Sequence, residues 1–148
     1  MKNILKKKFY LYLVILILGI ASSFSLPPYN YFFLNFLIFP ILLYVLINII
    51  SGRFNKFLIG WIFGFGYFIS NIYWITNSLT FDNKFKILIP ISLILIPSFL
   101  GLFYGLITFL TSFFNLKNKI SSILIFSLLF GSVEYLRSFI FGGFPWNL

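Results

Sequence analysis

The sequence predicts an all-α, polytopic integral membrane protein with about five transmembrane helices and a cytoplasmic N-terminus. Three observations carry this. Hydrophobic residues make up 61% of the 148 residues and charged residues only 9%, against about half and about a quarter in a soluble domain. Mean hydropathy is +1.05, so most of the surface must meet lipid rather than water. The eleven Lys and Arg residues sit at the ends of apolar runs, the arrangement that orients membrane helices.

The first apolar run is Phe9–Leu26, preceded by Lys2, Lys6, Lys7 and Lys8. The basic start, the apolar run and Gly19-Ile20-Ala21 also fit a cleaved signal peptide, but a second apolar run follows directly. Pro27-Pro28-Tyr29-Asn30 then connects to Tyr31–Ile50. Ser51–Lys56 leads to Phe57–Leu79, and Thr80–Lys86 leads to Ile87–Phe114. The fourth run is long and carries Pro90 and Pro97, which predicts a tilt, a kink or a later start. Asn115–Lys119 leads to the last run, Ile120–Phe141. Each run approaches or exceeds the ~20 residues that cross a bilayer, and the short connections force antiparallel neighbours. With the N-terminus inside, the inner segments hold Lys2, Lys6, Lys7, Lys8, Arg53, Lys56, Lys117 and Lys119, and the outer ones Lys84, Lys86 and Arg137. That asymmetry sets the orientation.

The chemistry available to such a chain is narrow. It contains no Cys and no His, which removes disulfides, thiolate nucleophiles, His–metal sites and Ser-His-Asp catalysis. No metal and no cofactor is expected. The net charge of +9 is spread over helix ends, so no nucleic-acid partner is expected either. The 23 Phe residues and the single Ala, Ala21, read as AT-rich coding rather than as an aromatic binding surface.

Asp82 and Glu134 are the two acids. Asp82 falls in a loop, where a solvated turn residue is expected. Glu134 lies in the last run, three residues before Arg137, and that spacing puts both on one helix face. Ionisable residues inside a span are costly, so the pair is a candidate functional site, with a purely structural ion pair as the competing reading. Gly60 and Gly64, and likewise Gly101 and Gly105, place small residues on one face, where helix packing in lipid is the expected role. Trp61, Tyr73 and Trp74 fall near the ends of the third run and read as interfacial belt residues. At the close, Gly142 and Gly143 end the helix and Pro145 prevents its continuation, leaving Trp146 on a turn at the interface.

Glu134-Tyr135-Leu136-Arg137 followed by Gly143-Phe144-Pro145-Trp146 resembles the E-x-L-R…G-F-P-W signature of the apolipoprotein N-acyltransferase family. Ser25-Leu26-Pro27-Pro28-Tyr29 is similar to the family's first outer loop, and the segment from Gly60 to Trp74 is similar to its Gly-aromatic third helix. The resemblance implies a multi-pass enzyme of the bacterial inner membrane. Its acyl donor is membrane phospholipid and its acceptor is the N-terminal diacylglyceryl-cysteine of a lipoprotein, acylated through a thioester on a Cys. The family's Glu, Lys and Cys lie in a nitrilase-like catalytic domain inserted after further helices. This chain has no Cys and stops after the G-F-P-W motif. The expectation is therefore a fragment or split half holding only the membrane portion, inactive alone, with the missing C-terminal half as a partner. No catalytic residue carries over. Glu134, Arg137, Phe144, Pro145 and Trp146 carry over as residues that support the catalytic domain or guide the acyl chain. The alternative is a small multi-helix transporter or scaffold subunit.

Overall fold

The computed structural model describes residues 2–73, 80, 83–116 and 118–140. Within them the chain is all-helical, in keeping with a polytopic membrane protein. α1 spans Lys2–Ser23, α2 Asn35–Tyr44, α3 Arg53–Asn71, α4 Ile89–Leu110 and α5 Lys119–Ile140. A 3-10 turn at Phe32–Leu34 leads into α2 and a π turn at Val45–Ile49 continues it. Three stretches are long and apolar enough to cross a membrane, Phe32–Ile49, Lys86–Phe113 and Lys119–Ile140. α1 and α3 fall outside that measure, α1 through Lys6, Lys7 and Lys8 and α3 through the polar first turn that holds Arg53, Asn55 and Lys56.

Helix ends differ from the apolar runs because backbone hydrogen bonding does not stop where hydropathy does. α1 begins at Lys2, before the expected Phe9, and ends at Ser23. α3 begins at Arg53, where Gly52 supplies a φ of 87° ahead of the first turn, a conformation that favours glycine. It ends at Asn71; residues 74–79 of the expected run lie outside the described residues. In the fourth run the α-helix begins at Ile89 after a 3-10 turn at Asn83–Leu88. Pro90 thus falls in the first turn, where its missing N–H leaves no gap. Pro97 lies inside α4 and Pro40 inside α2, each removing one backbone bond.

α3 is the central helix, packed closely on α4 and on α1. Ile59, Phe63 and Phe68 on it are fully buried. A Cβ on Gly64 would lie 2.8 Å from Tyr104 Cβ and 2.9 Å from the Gly101 Cα. A side chain at either glycine would drive the two backbones apart. A Cβ on Gly60 would strike Thr108, and one on Gly105 would meet the Phe57 ring at 2.8 Å. Two hydrogen bonds cross the same interface: Trp61 Nε1 donates to the Ser98 carbonyl at 2.9 Å, and Thr108 Oγ1 to the Lys56 carbonyl at 2.8 Å. Trp61 thereby joins α3 to α4. It lies midway along α3, with its indole N–H bonded to α4. Tyr73 is exposed at the end of α3, and Trp74 lies outside the described residues.

α1 approaches α3 as closely, at glycines that hydropathy does not single out. Gly19 abuts the Phe63 carbonyl, and a Cβ on Gly66 would lie 2.5 Å from the Leu16 carbonyl. α1 and α2 are tied by Ser22 Oγ, which donates to Asn35 Oδ1 at 2.7 Å. α5 is held more loosely, chiefly against α4. Its outward face exposes Leu128, Tyr135 and Phe139, as an environment of lipid allows.

Candidate functional site

The buried face of α5 runs through Ser122, Phe126, Val133 and Arg137, with Phe130 partly buried between them. These positions recur every three or four residues, the spacing of one helical stripe. Arg137 therefore continues the apolar face inward instead of facing the surface, and its side chain is 1% exposed.

An arginine on a buried stripe needs a counter-charge and donors' partners nearby. Arg137 Nη2 donates to Glu134 Oε2 at 2.5 Å, and the Glu134 side chain is 15% exposed. The guanidinium also lies over the Phe68 ring of α3, 5.1 Å from its centroid, a cation–π contact that is strengthened where water is excluded. α3 and α5 share little backbone contact, so Arg137 spans the gap between them. Arg137 makes further contacts beyond these. Glu134 Oε1 and Asn71 Nδ2 are buried and have no hydrogen-bond partner among the described residues. One is an acceptor and the other a donor.

An aromatic column lies against this pair. Tyr104 of α4 stacks on Tyr67 at 5.6 Å and 26°, and on Phe63 at 5.9 Å and 23°. It meets Phe68 edge-on at 5.3 Å and Phe130 edge-on at 5.0 Å. Phe130 in turn meets Phe39 of α2 edge-on at 4.9 Å. Rings from four helices thus interlock in the favoured edge and offset geometries. Their role as a core was not legible in composition, where Phe counted only as apolar bulk. The i, i+4 spacing of Phe126 and Phe130, in register with Arg137, was the available signal.

The structure thus brings Glu134 and Arg137 together, and sets Gly60, Gly64, Gly101 and Gly105 along α3 and α4. Phe144, Pro145 and Trp146, with Asp82, lie outside the described residues. Among the described residues no cluster of His, Cys, Asp and Glu could hold a metal. With two acids in the whole chain and neither His nor Cys, the residue types needed for such a cluster are scarce.

Residues 18–148 match the family model described as the apolipoprotein N-acyltransferase N-terminal domain. The chain is 33% identical over 144 residues to the apolipoprotein N-acyltransferase of Rhizobium rhizogenes strain K84, covering 91% of this chain and 27% of that protein. It is 34% identical over 139 residues to the protein of that name from Brucella melitensis biotype 1, covering 88% of this chain and 26% of that protein. The Agrobacterium fabrum strain C58 protein of the same name is 34% identical over 140 residues, with 87% and 26% covered. The chain spans about a quarter of the length of these curated relatives. No solved structure matches.

Proposed function

The chain belongs to the apolipoprotein N-acyltransferase family, matching its N-terminal domain, and from this we propose that it forms the membrane portion of an enzyme that acylates lipoproteins. The acyl chain comes from a membrane phospholipid. It passes to the free amino group of an N-terminal diacylglyceryl-cysteine in the bacterial inner membrane. The observation that carries this reading is the ion pair of the buried Arg137 with the partly exposed Glu134, a few residues ahead of the Gly143-Phe144-Pro145-Trp146 motif in a domain matched through residue 148.

Acyl transfer through a thioester needs a thiolate and a base to activate it. These 148 residues contain no Cys. In this reading the nucleophile, its carboxylate and its Lys come from a nitrilase-like domain outside these residues, which acts as the partner of this one. Arg137 then has a positioning role. Its contact with the Phe68 ring fastens the end of α5 to α3, just ahead of that motif in the sequence. Phe144, Pro145 and Trp146 guide the acyl chain where it leaves the bilayer. The family match over residues 18–148 weighs against the transporter or scaffold alternative.

Two measurements test this. The purified 148-residue chain, given phospholipid and a diacylglyceryl peptide, is expected to form neither a covalent acyl adduct nor an N-acylated product. Either species above background overturns the assignment of the chemistry to residues outside this chain. In a full-length enzyme carrying this domain, Trp146→Ala is expected to lower turnover by about tenfold, ~1.4 kcal/mol of transition-state stabilisation, with an unchanged unfolding temperature. Normal turnover with a lowered unfolding temperature removes Trp146 from the site and leaves it an interfacial anchor.

A further inference from the structure

We propose that the groove between α2 and α5 binds one anionic phospholipid, with its headgroup at the Lys119 end and an acyl chain along the apolar wall. The groove has a volume of about 760 Å³, within the range of sites that enclose small ligands. α2 and α5 share little backbone contact. The space between them is floored by Phe39, Leu43 and Phe126, of which Leu43 and Phe126 are buried. Both walls belong to stretches apolar and long enough to cross a membrane, which sets the groove at the depth of the hydrocarbon.

Among the described residues, Lys119 is the one charged side chain on the lining, which is otherwise mostly apolar, with Asn35, Ser122 and Ser127 as further polar positions. Two donors face one end, Lys119 at the start of α5 and Asn48 in the π turn that closes the α2 segment. Asn48 Nδ2 gives one hydrogen to the Tyr44 carbonyl at 3.1 Å and keeps a second for a phosphate oxygen. Lys119 supplies the charge complementary to an anionic headgroup. The antiparallel order of the helices gathers Lys6, Lys7, Lys8, Arg53 and Lys56 at this same end. Along the groove, Asn35 to Asn48 covers about 20 Å at the helical rise, which exceeds the ~15 Å of hydrocarbon in one leaflet. Asn35, at the far end, has its Oδ1 engaged by Ser22. The Lys119 end being the cytoplasmic one, the lipid belongs to the inner leaflet. The leaflet, but not the binding, rests on that orientation, and neither rests on the acyl-transfer reading.

The test is photo-crosslinking. The protein is reconstituted in phosphatidylcholine vesicles holding a minor fraction of phosphatidylglycerol with a photoreactive acyl tail, and adducts are mapped by peptide mass spectrometry. A phosphatidylcholine probe with the same tail serves as the comparison. Adducts are expected at Phe36, Phe39 and Ile123, and the anionic probe is expected to be favoured about fivefold, the worth of one lysine near an anionic surface. Lys119→Glu removes that preference and Lys119→Arg retains it, while Lys7→Gln, at the same end but off the groove, leaves it unchanged. Three results overturn the proposal. Adducts at Ile94 and Leu95, exposed on α4, equal to those in the groove mean ordinary lipid contact. A loss of preference in Lys7→Gln equal to that in Lys119→Glu means bulk surface charge. Groove positions shielded from both probes, in vesicles or in the native membrane, mean that a polypeptide segment fills the groove.

Discussion

Arg137 is the residue whose environment constrains it most. It is 1% exposed, in a chain with only 9% charged residues, and it contacts both Glu134 and Phe68. Removing one member of a buried pair strands the other charge, at a cost of about 3–5 kcal/mol. Glu134→Gln and Arg137→Gln are each expected to destabilise by about that amount in detergent unfolding. The double change is expected to cost less than the sum of the two. Equal midpoints for both single variants and the double variant would show that the two residues are uncoupled. Trp61→Phe gives a smaller effect at this scale, about 1 kcal/mol, because it deletes only the bond to the Ser98 carbonyl between two helices in lipid. A belt residue would instead lose nothing of the α3–α4 pairing.

Between elements, the α3–α4 contact depends on glycines and the α5 contact on long side chains. Gly64→Leu places carbon where Tyr104 and Gly101 already lie within 2.9 Å of the added atom. It is expected to destabilise by about 1–3 kcal/mol through overpacking. Gly131 supplies the contrast. A Cβ there meets nothing within 4 Å, so Gly131→Ala is expected to be neutral or to stabilise by up to about 1 kcal/mol through helix propensity. Thermal unfolding of the two variants in one detergent separates packing from propensity. Similar losses for both would mean that glycine matters here for flexibility and not for close approach. Gly66 of α3 and Gly19 of α1 play the same part where those two helices meet, Gly66 against Leu16 and Gly19 against Phe63.

Across the whole molecule, the antiparallel helix order sorts the cations. The starts of α1, α3 and α5 and the ends of α2 and α4 share one end of the bundle, and that end carries Lys6, Lys7, Lys8, Arg53, Lys56 and Lys119. Arg53 there lies over the Phe113 ring, 4.6 Å from its centroid, which fastens the start of α3 to the end of α4. The excess of positive charge predicts that this end is cytoplasmic. A reporter active only in the periplasm, fused after Leu148, is expected to be active, and the same reporter fused after Lys56 to be silent. The reverse pattern inverts the molecule and moves the proposed lipid to the outer leaflet.

The all-helical membrane class, the order of the apolar runs and the pairing of Glu134 with Arg137 follow from sequence alone. Each is local. Hydropathy is summed over neighbouring residues, and an i, i+3 contact lies within a single helical turn. The family resemblance rests equally on short contiguous motifs. What tertiary structure decided is where each helix presents its faces. It set Gly19 of α1 against α3 and Gly66 of α3 against α1, turned Trp61 onto the Ser98 carbonyl, and assembled Phe39, Tyr67, Tyr104 and Phe130 from four helices into one column. In a chain that is 61% hydrophobic, lipid-facing and core-facing residues are equally apolar, so hydropathy cannot tell them apart. Only the close approach of backbones and the shapes of the rings distinguish the two, and those exist only once the helices have packed.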